Sequence, residues 1–154
     1  YWKENGGRHT AVNYSYQFLQ TKYVVTLDSD DELTPNAVEL MIRTWNSIPK
    51  ERYDHIWCVS GREMDANTLQ LVGEPYPEDI NEKSGKAQRK ILLKYEGEKH
   101  CCRRVDIHIR YKFPVYDDTK FVLENTVWKS SIENMINGVL MMCMDCIIQS
   151  QRTA

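Results

Sequence analysis

The chain has 154 residues, 42% of them hydrophobic, which suffices for one domain with a buried core but is less than most complete α/β enzymes use. A formal charge of -2 at pH 7 excludes a generally basic nucleic-acid surface, so an anionic partner must be met by a metal ion or by a few local Arg and Lys side chains. The longest apolar run, VLMMCM within INGVLMMCMDCII, stops at Asp145 and is too short to span a bilayer.

The chain opens on Tyr1, and YWKENGG has no signal-peptide character. A Gly-Gly turn follows, and Ala11, Val12, Phe18 and Leu19 then fall at helical spacing, predicting a helix over about 8–20. TKYVVTLD reads as a short apolar strand of the type buried on both faces of a parallel sheet. TPNAVELMIRTWNSI predicts a helix capped by Thr34, with Pro35 in its first position and Val38, Met41, Ile42 and Trp45 as its buried stripe. DHIWCVS reads as the next strand, and the polar, proline-bearing segment 73–87 as a surface loop. QRKILLKY predicts a short helix, and KHCCRRVDIHIRY a strand or hairpin. A further helix is expected from about Glu124, while MINGVLMMCMDCII fits strand or helix by pattern alone.

VVTLDSDDELTP is the most unusual stretch. It runs from an apolar strand into Asp28, Asp30, Asp31 and Glu32, four acids within five positions. Carboxylates at alternate positions just past a strand can converge on one hard cation, and magnesium and manganese prefer such oxygen ligands. The carboxyl end of a strand in an open α/β sheet is also the usual ligand crevice. The plainer reading is an acidic helix entry, favourable to the helix dipole. A calcium EF-hand loop would use Asp28, Asp30, Glu32 and Glu39, but Leu33 takes the place of its turn glycine and a strand precedes it.

The stretch ENGGRHTAVNYSYQFLQTKYVVTLDSDDELTPNAVE resembles the middle of family 2 glycosyltransferases, inverting enzymes that use nucleotide-sugar donors. The shared elements are the Asn-Gly-Gly turn, a helix bearing Ala-x-Asn, and a strand ending in LDSDD. A looser resemblance continues through KYEGEKHCCRRVD and RYKFPVYDDTKFVLENTVW. It implies a partial GT-A fold, α/β with a mostly parallel sheet flanked by helices. It implies transfer of a sugar from a nucleotide diphosphate sugar to a glycan acceptor, in the setting of bacterial surface polysaccharide synthesis.

The resemblance also implies roles. Asp28 and Asp30 would hold a divalent metal, Mn2+ or Mg2+, and the donor diphosphate, with Asp31 alongside. Asn5, Gly6, Gly7 and Arg8 would lie near the donor nucleotide, where glycines admit close backbone approach and Arg8 could contact phosphate. Asn13 matches the helix Asn, with a hydrogen bond that fixes the turn as its alternative role. Glu124 stands where the family places a carboxylate facing the acceptor, the base that takes the proton from the attacking hydroxyl. Many relatives follow it with Asp, where this chain has Asn125. The plainer role of Glu124 is favourable charge at a helix start, and Asp117 and Asp118 are the alternative bases.

Five cysteines, at Cys58, Cys101, Cys102, Cys143 and Cys146, give an odd number and no secreted framework, so reduced thiols and a cytoplasmic protein, extending to the inner face of the membrane, are expected. Cys143 and Cys146 lack a second pair at zinc spacing, Cys101 and Cys102 would point to opposite faces of a strand, and no motif selects His9, His100 or His108. Relatives begin with strands that bind the nucleotide base, so the chain is expected to be one incomplete domain of a longer transferase, which is the active enzyme, the fragment by itself being expected to be inactive. Residues 1–48 would serve donor and metal, and 49–154 the acceptor. A sheet lacking those strands is expected to self-associate. A non-catalytic remnant or metal-binding interaction module is the alternative from another class, and a nucleotidyltransferase a third reading.

Overall fold

The computed structural model describes residues 1–54, 56–74, 77–80, 87, 90, 91, 94, 99–124, 126, 127 and 140–150, with Trp57, Lys99 and 140–150 described by their backbone. Helix α1 spans Arg8–Ser15 and tightens into a 3₁₀ turn at Tyr16–Phe18, so the expected first helix is present. Its buried face differs from the expected one. His9 and Tyr16 are buried, whereas Ala11 is exposed and Val12, Phe18 and Leu19 are half-buried. His9 and Tyr16 stand seven residues apart, two helical turns, and so share one face.

The strand expected over TKYVVTLD shortens to β1, Tyr23–Val25, and all three residues are half-buried rather than enclosed. A second short strand, β2 at Asp31–Leu33, lies inside the acidic stretch. Helix α2 covers Ala37–Ser47. It starts later than expected: Asn36 is the N-cap, and Thr34 contributes its carbonyl to the Ala37 N–H (2.9 Å) rather than a side-chain cap. Ala37, Met41 and Trp45 form the buried stripe, joined by Ile48. Met41 and Trp45 of the expected stripe are thus buried, whereas Val38 is 57% exposed and Ile42 38%, with Ala37 taking their place. Ala37, Met41 and Trp45 repeat every four residues, so the buried face is the one that carries Trp45, a large apolar side chain. Trp45 also meets Tyr53 of the short helix α3, Lys50–Tyr53, edge to face at 5.7 Å.

Strand β3 runs Ile56–Asp65 and β4 Lys99–Arg104. The second half of KHCCRRVDIHIRY is not a strand but a helical turn, α4 at Val105–His108, which buries Val105, Ile107 and His108. The last segment is strand β5, Leu140–Ser150. Strands follow the order β1-β4-β3-β5-β2. β3 runs parallel to β5 but antiparallel to β4, and β2 runs antiparallel to β5. The sheet is therefore mixed, not mostly parallel. A parallel β3–β5 pair needs a long crossover, which the chain between Asp65 and Leu140 provides. Most of the helix expected over 88–95, apart from Lys90, Ile91 and Lys94, and most of the one from Glu124 lie outside the described residues.

The chain packs as two compact units, neither of them one continuous stretch. The first joins Tyr1–Val24 with Arg104–Ile136, and the second joins Val25–Arg103 with Asn137–Ala154. In the first, the Val105 N–H donates to the Lys22 carbonyl (3.0 Å), and the Tyr16 ring meets His108 edge-on at 4.8 Å. In the second, β3 supplies the fully buried Ile56, Cys58, Val59 and Ser60 beside α2.

Candidate active site

In the first unit the Asn-Gly-Gly turn is built by its own side chains. The Asn5 Oδ1 accepts from the Gly7 N–H at 3.0 Å, an Asx-type turn. The Thr10 hydroxyl donates to the Gly7 carbonyl at 2.9 Å, and the Lys3 ammonium donates to that hydroxyl at 2.9 Å. Gly7 has φ 93°, and a Cβ there would stand 1.9 Å from the Lys120 carbonyl oxygen. The close approach that requires a glycine is thus to the chain's own backbone. A Cβ on Gly6 would meet the Thr10 hydroxyl at 2.9 Å.

Asn13 uses both ends of its amide on one residue: Nδ2 donates to the Phe113 carbonyl (2.8 Å) and Oδ1 accepts from the Phe113 N–H (2.9 Å). That two-point tie holds α1 against the Phe113 loop. Arg8, the first residue of α1, forms an ion pair with Glu124, and both side chains are about half exposed. Glu124 opens a helical turn in which the Thr126 N–H donates to the Leu123 carbonyl at 3.0 Å. Asp117 and Asp118 are exposed on the preceding loop.

These elements enclose a cavity of about 490 Å³ lined by Arg8, His9, Lys120, Phe121, Leu123 and Glu124. His9 is 2% exposed, and neither ring nitrogen has a hydrogen-bond partner among the described residues. A buried polar group left unpaired costs about 1–3 kcal/mol. Sequence reasoning missed this residue; its seven-residue spacing from Tyr16 was the available signal.

In the second unit the acidic stretch leaves β1 and folds back as a turn, the Asp31 N–H donating to the Asp28 carbonyl at 3.2 Å. Asp28 and Asp30 are exposed. Asp31 begins β2 and turns inward: its side chain is 6% exposed, with Oδ2 4.0 Å from His100 Nε2. His100 lies on β4 opposite Gly61. Two exposed carboxylates on one turn suit magnesium or manganese, which bind through one or two carboxylates and leave positions for phosphate oxygens and water. Among the described residues no group of three or more His, Cys, Asp or Glu side chains forms a closed cage.

Cys101 and Cys102 do face opposite ways, with Ser60 and Val59 as their respective cross-strand partners. The Cys101 thiol is lowered to about 6, chiefly by a hydrogen bond from Cys58, with the Arg103 charge and the Ser60 hydroxyl adding to it against the cost of burial. Burial raises the Cys102 thiol, offset in part by Trp45. The Arg103 guanidinium also donates to the Thr26 hydroxyl at 3.2 Å. The side chains of Cys143 and Cys146 lie outside the described set.

The chain is α/β, with an Asn-Gly-Gly turn, a helix and an acidic turn after its first strand. Residues 1–111, which contain every elementary part of that pattern, match the family described as Glycosyl transferase family 2. With well over half of the chain matched, the chain belongs to that family, whose activity is glycosyl transfer and whose fold is of the GT-A type. Among curated proteins compared with it, none matches. No helix among the described residues is long and apolar enough to cross a membrane.

Proposed function

We propose that the protein transfers a sugar from a nucleotide diphosphate sugar to a glycan acceptor with inversion, aided by magnesium or manganese at Asp28 and Asp30. The observation that carries the metal assignment is the division of the acids: Asp28 and Asp30 are exposed, while Asp31 faces His100. Family membership supplies the reaction class.

In an inverting transfer the acceptor oxygen attacks the anomeric carbon from the face opposite the diphosphate, and the bond to the diphosphate breaks with its electron pair. Glu124 is the base that takes the acceptor proton. Its ion pair with Arg8 fixes the carboxylate at the cavity. A bound metal supplies charge to offset the departing diphosphate. Asn5, Gly6, Gly7 and Arg8 form the turn assigned to the donor. Asn13 serves that turn by holding α1 to the Phe113 backbone. The setting we assign is bacterial surface polysaccharide synthesis on the cytoplasmic side. Self-association belongs to the same proposal, supported by short strands β1 and β2 at the ends of the strand order.

Calorimetry with uridine and guanosine diphosphates, with and without manganese, tests the reading. At least one should bind roughly tenfold more tightly with metal, about 1.4 kcal/mol. Equal affinities in both conditions would remove the metal from the proposal.

A further inference from the structure

The sheet of the second unit carries a cluster of reactive side chains that glycosyl transfer does not use. Cys58 pairs with Arg103 across the β3–β4 ladder, and Cys101 pairs with Ser60 two positions along. Alternate residues of a strand share a face, so Cys58, Ser60, Cys101 and Arg103 occupy one face, whereas Val59 and Cys102 occupy the other. Cys58 and Cys101 are thus diagonal neighbours across the ladder, within reach of one another. The Cys58 thiol donates to the Cys101 sulfur, and the Ser60 hydroxyl and the Arg103 guanidinium bond the same sulfur. Both cysteines are reduced, Cys58 buried and Cys101 half-buried.

We propose that Cys101 is a modification site for peroxide, with Cys58 as its resolving thiol, so that oxidation joins β3 to β4 through a disulfide. The Cys101 thiolate attacks one peroxide oxygen. A sulfur–oxygen bond forms, the oxygen–oxygen bond breaks, and the departing hydroxide takes up a proton to become water. The Cys58 thiol then attacks the Cys101 sulfur. The sulfur–sulfur bond forms as the sulfur–oxygen bond breaks, and the hydroxyl leaves as water with the Cys58 proton. The two sulfurs lose two electrons and the peroxide gains them. Three local features suit this chemistry. The thiolate is the reacting species, and the donors around Cys101 hold its pKa at about 6, so it is mostly ionised at pH 7. The Arg103 cation offsets the charge of the departing hydroxide. A second thiol in contact with the first stops oxidation at the reversible disulfide, before sulfinic acid.

The test treats the intact protein with hydrogen peroxide at pH 7 and maps its peptides, digested without reductant, by mass spectrometry. A Cys58–Cys101 cross-linked peptide is the expected main product, with Cys102 still a thiol, and dithiothreitol should restore both partners. Loss of the Cys101 thiol should be about tenfold slower at pH 5 than at pH 7, because protonation removes the thiolate. Cys58→Ser keeps a donor beside Cys101 and removes the resolving sulfur. In that variant dimedone, which traps sulfenic acid, should label Cys101, and prolonged exposure should carry it to a product that dithiothreitol does not reverse. The peptide map and pH profile of the unmutated protein decide the matter even where the variant does not fold. A disulfide from Cys101 to any other cysteine, oxidation of Cys102 as fast as Cys101, no oxidation of Cys101, or equal rates at the two pH values would each overturn the proposal.

Discussion

Asp31 and His100 face one another across the sheet unit, Oδ2 4.0 Å from Nε2, with their side chains 6% and 11% exposed. The Asp31 side chain is therefore inward-facing, though too far from His100 for a hydrogen bond, whereas its neighbours Asp28 and Asp30 stay at the surface. Asp30→Asn should lose the metal-dependent part of nucleotide affinity with little change in denaturation midpoint. Asp31→Asn, which removes a charge 4.0 Å from the His100 imidazole without breaking a hydrogen bond between them, should change stability by less than about 1 kcal/mol while manganese still strengthens nucleotide binding. Paired urea titrations and calorimetry on both variants check the assignment, and the opposite pattern would exchange the two roles.

Glu124→Gln should lower turnover by roughly two to four orders of magnitude with donor affinity nearly unchanged, because the base acts on the acceptor. Steady-state kinetics with both substrates varied reads this directly. Near-normal turnover would transfer the role to Asp117 or Asp118.

Gly7 and Gly6 should respond differently to alanine. At Gly7 the φ of 93° and the Lys120 carbonyl 1.9 Å from the new Cβ combine, and backbone atoms cannot step aside cheaply. Gly7→Ala should cost more than about 2 kcal/mol. At Gly6 the obstacle is the Thr10 side chain, at 2.9 Å, so the loss should be smaller. Thermal melts rank the pair, and equal losses would contradict the close approach.

The Cys101 thiol sits at about 6 rather than 9.0, because Cys58 donates to the thiolate and Arg103 lies nearby. The folded value is the lower one, so the unfolded chain binds more protons between about pH 6 and 9.0. Stability from this group therefore grows as pH rises through that window and is lost as pH falls toward 6. The urea midpoint should rise between pH 6 and 8, and Cys101→Ser should flatten the rise. Iodoacetamide at pH 7 should label Cys101 before Cys102, whose thiol is raised by burial. Preferential labelling of Cys102 would reverse the assignment.

Local patterning by itself determined α1, α2 and the strands around VVTL and IWCVS, because hydrophobic spacing and turn residues act within a few positions along the chain. It also determined the family, since ENGG, the Ala-x-Asn helix and LDSDD sit close together in sequence. Patterning placed Met41 and Trp45 on the buried face of α2, but tertiary structure alone decided that Ala37, and not Val38 or Ile42, joins them there. It decided that MINGVLMMCMDCII contains a strand, because parallel pairing with β3 settles a pattern that fits either state. It turned a helical α4 out of an alternating run, once Val105, Ile107 and His108 found a common interior. The pairing of Arg8 with Glu124, of Asn13 with Phe113 and of Asp31 with His100 joins residues about 70 to 115 positions apart. Contacts over such separations arise from chain topology, which no local window contains.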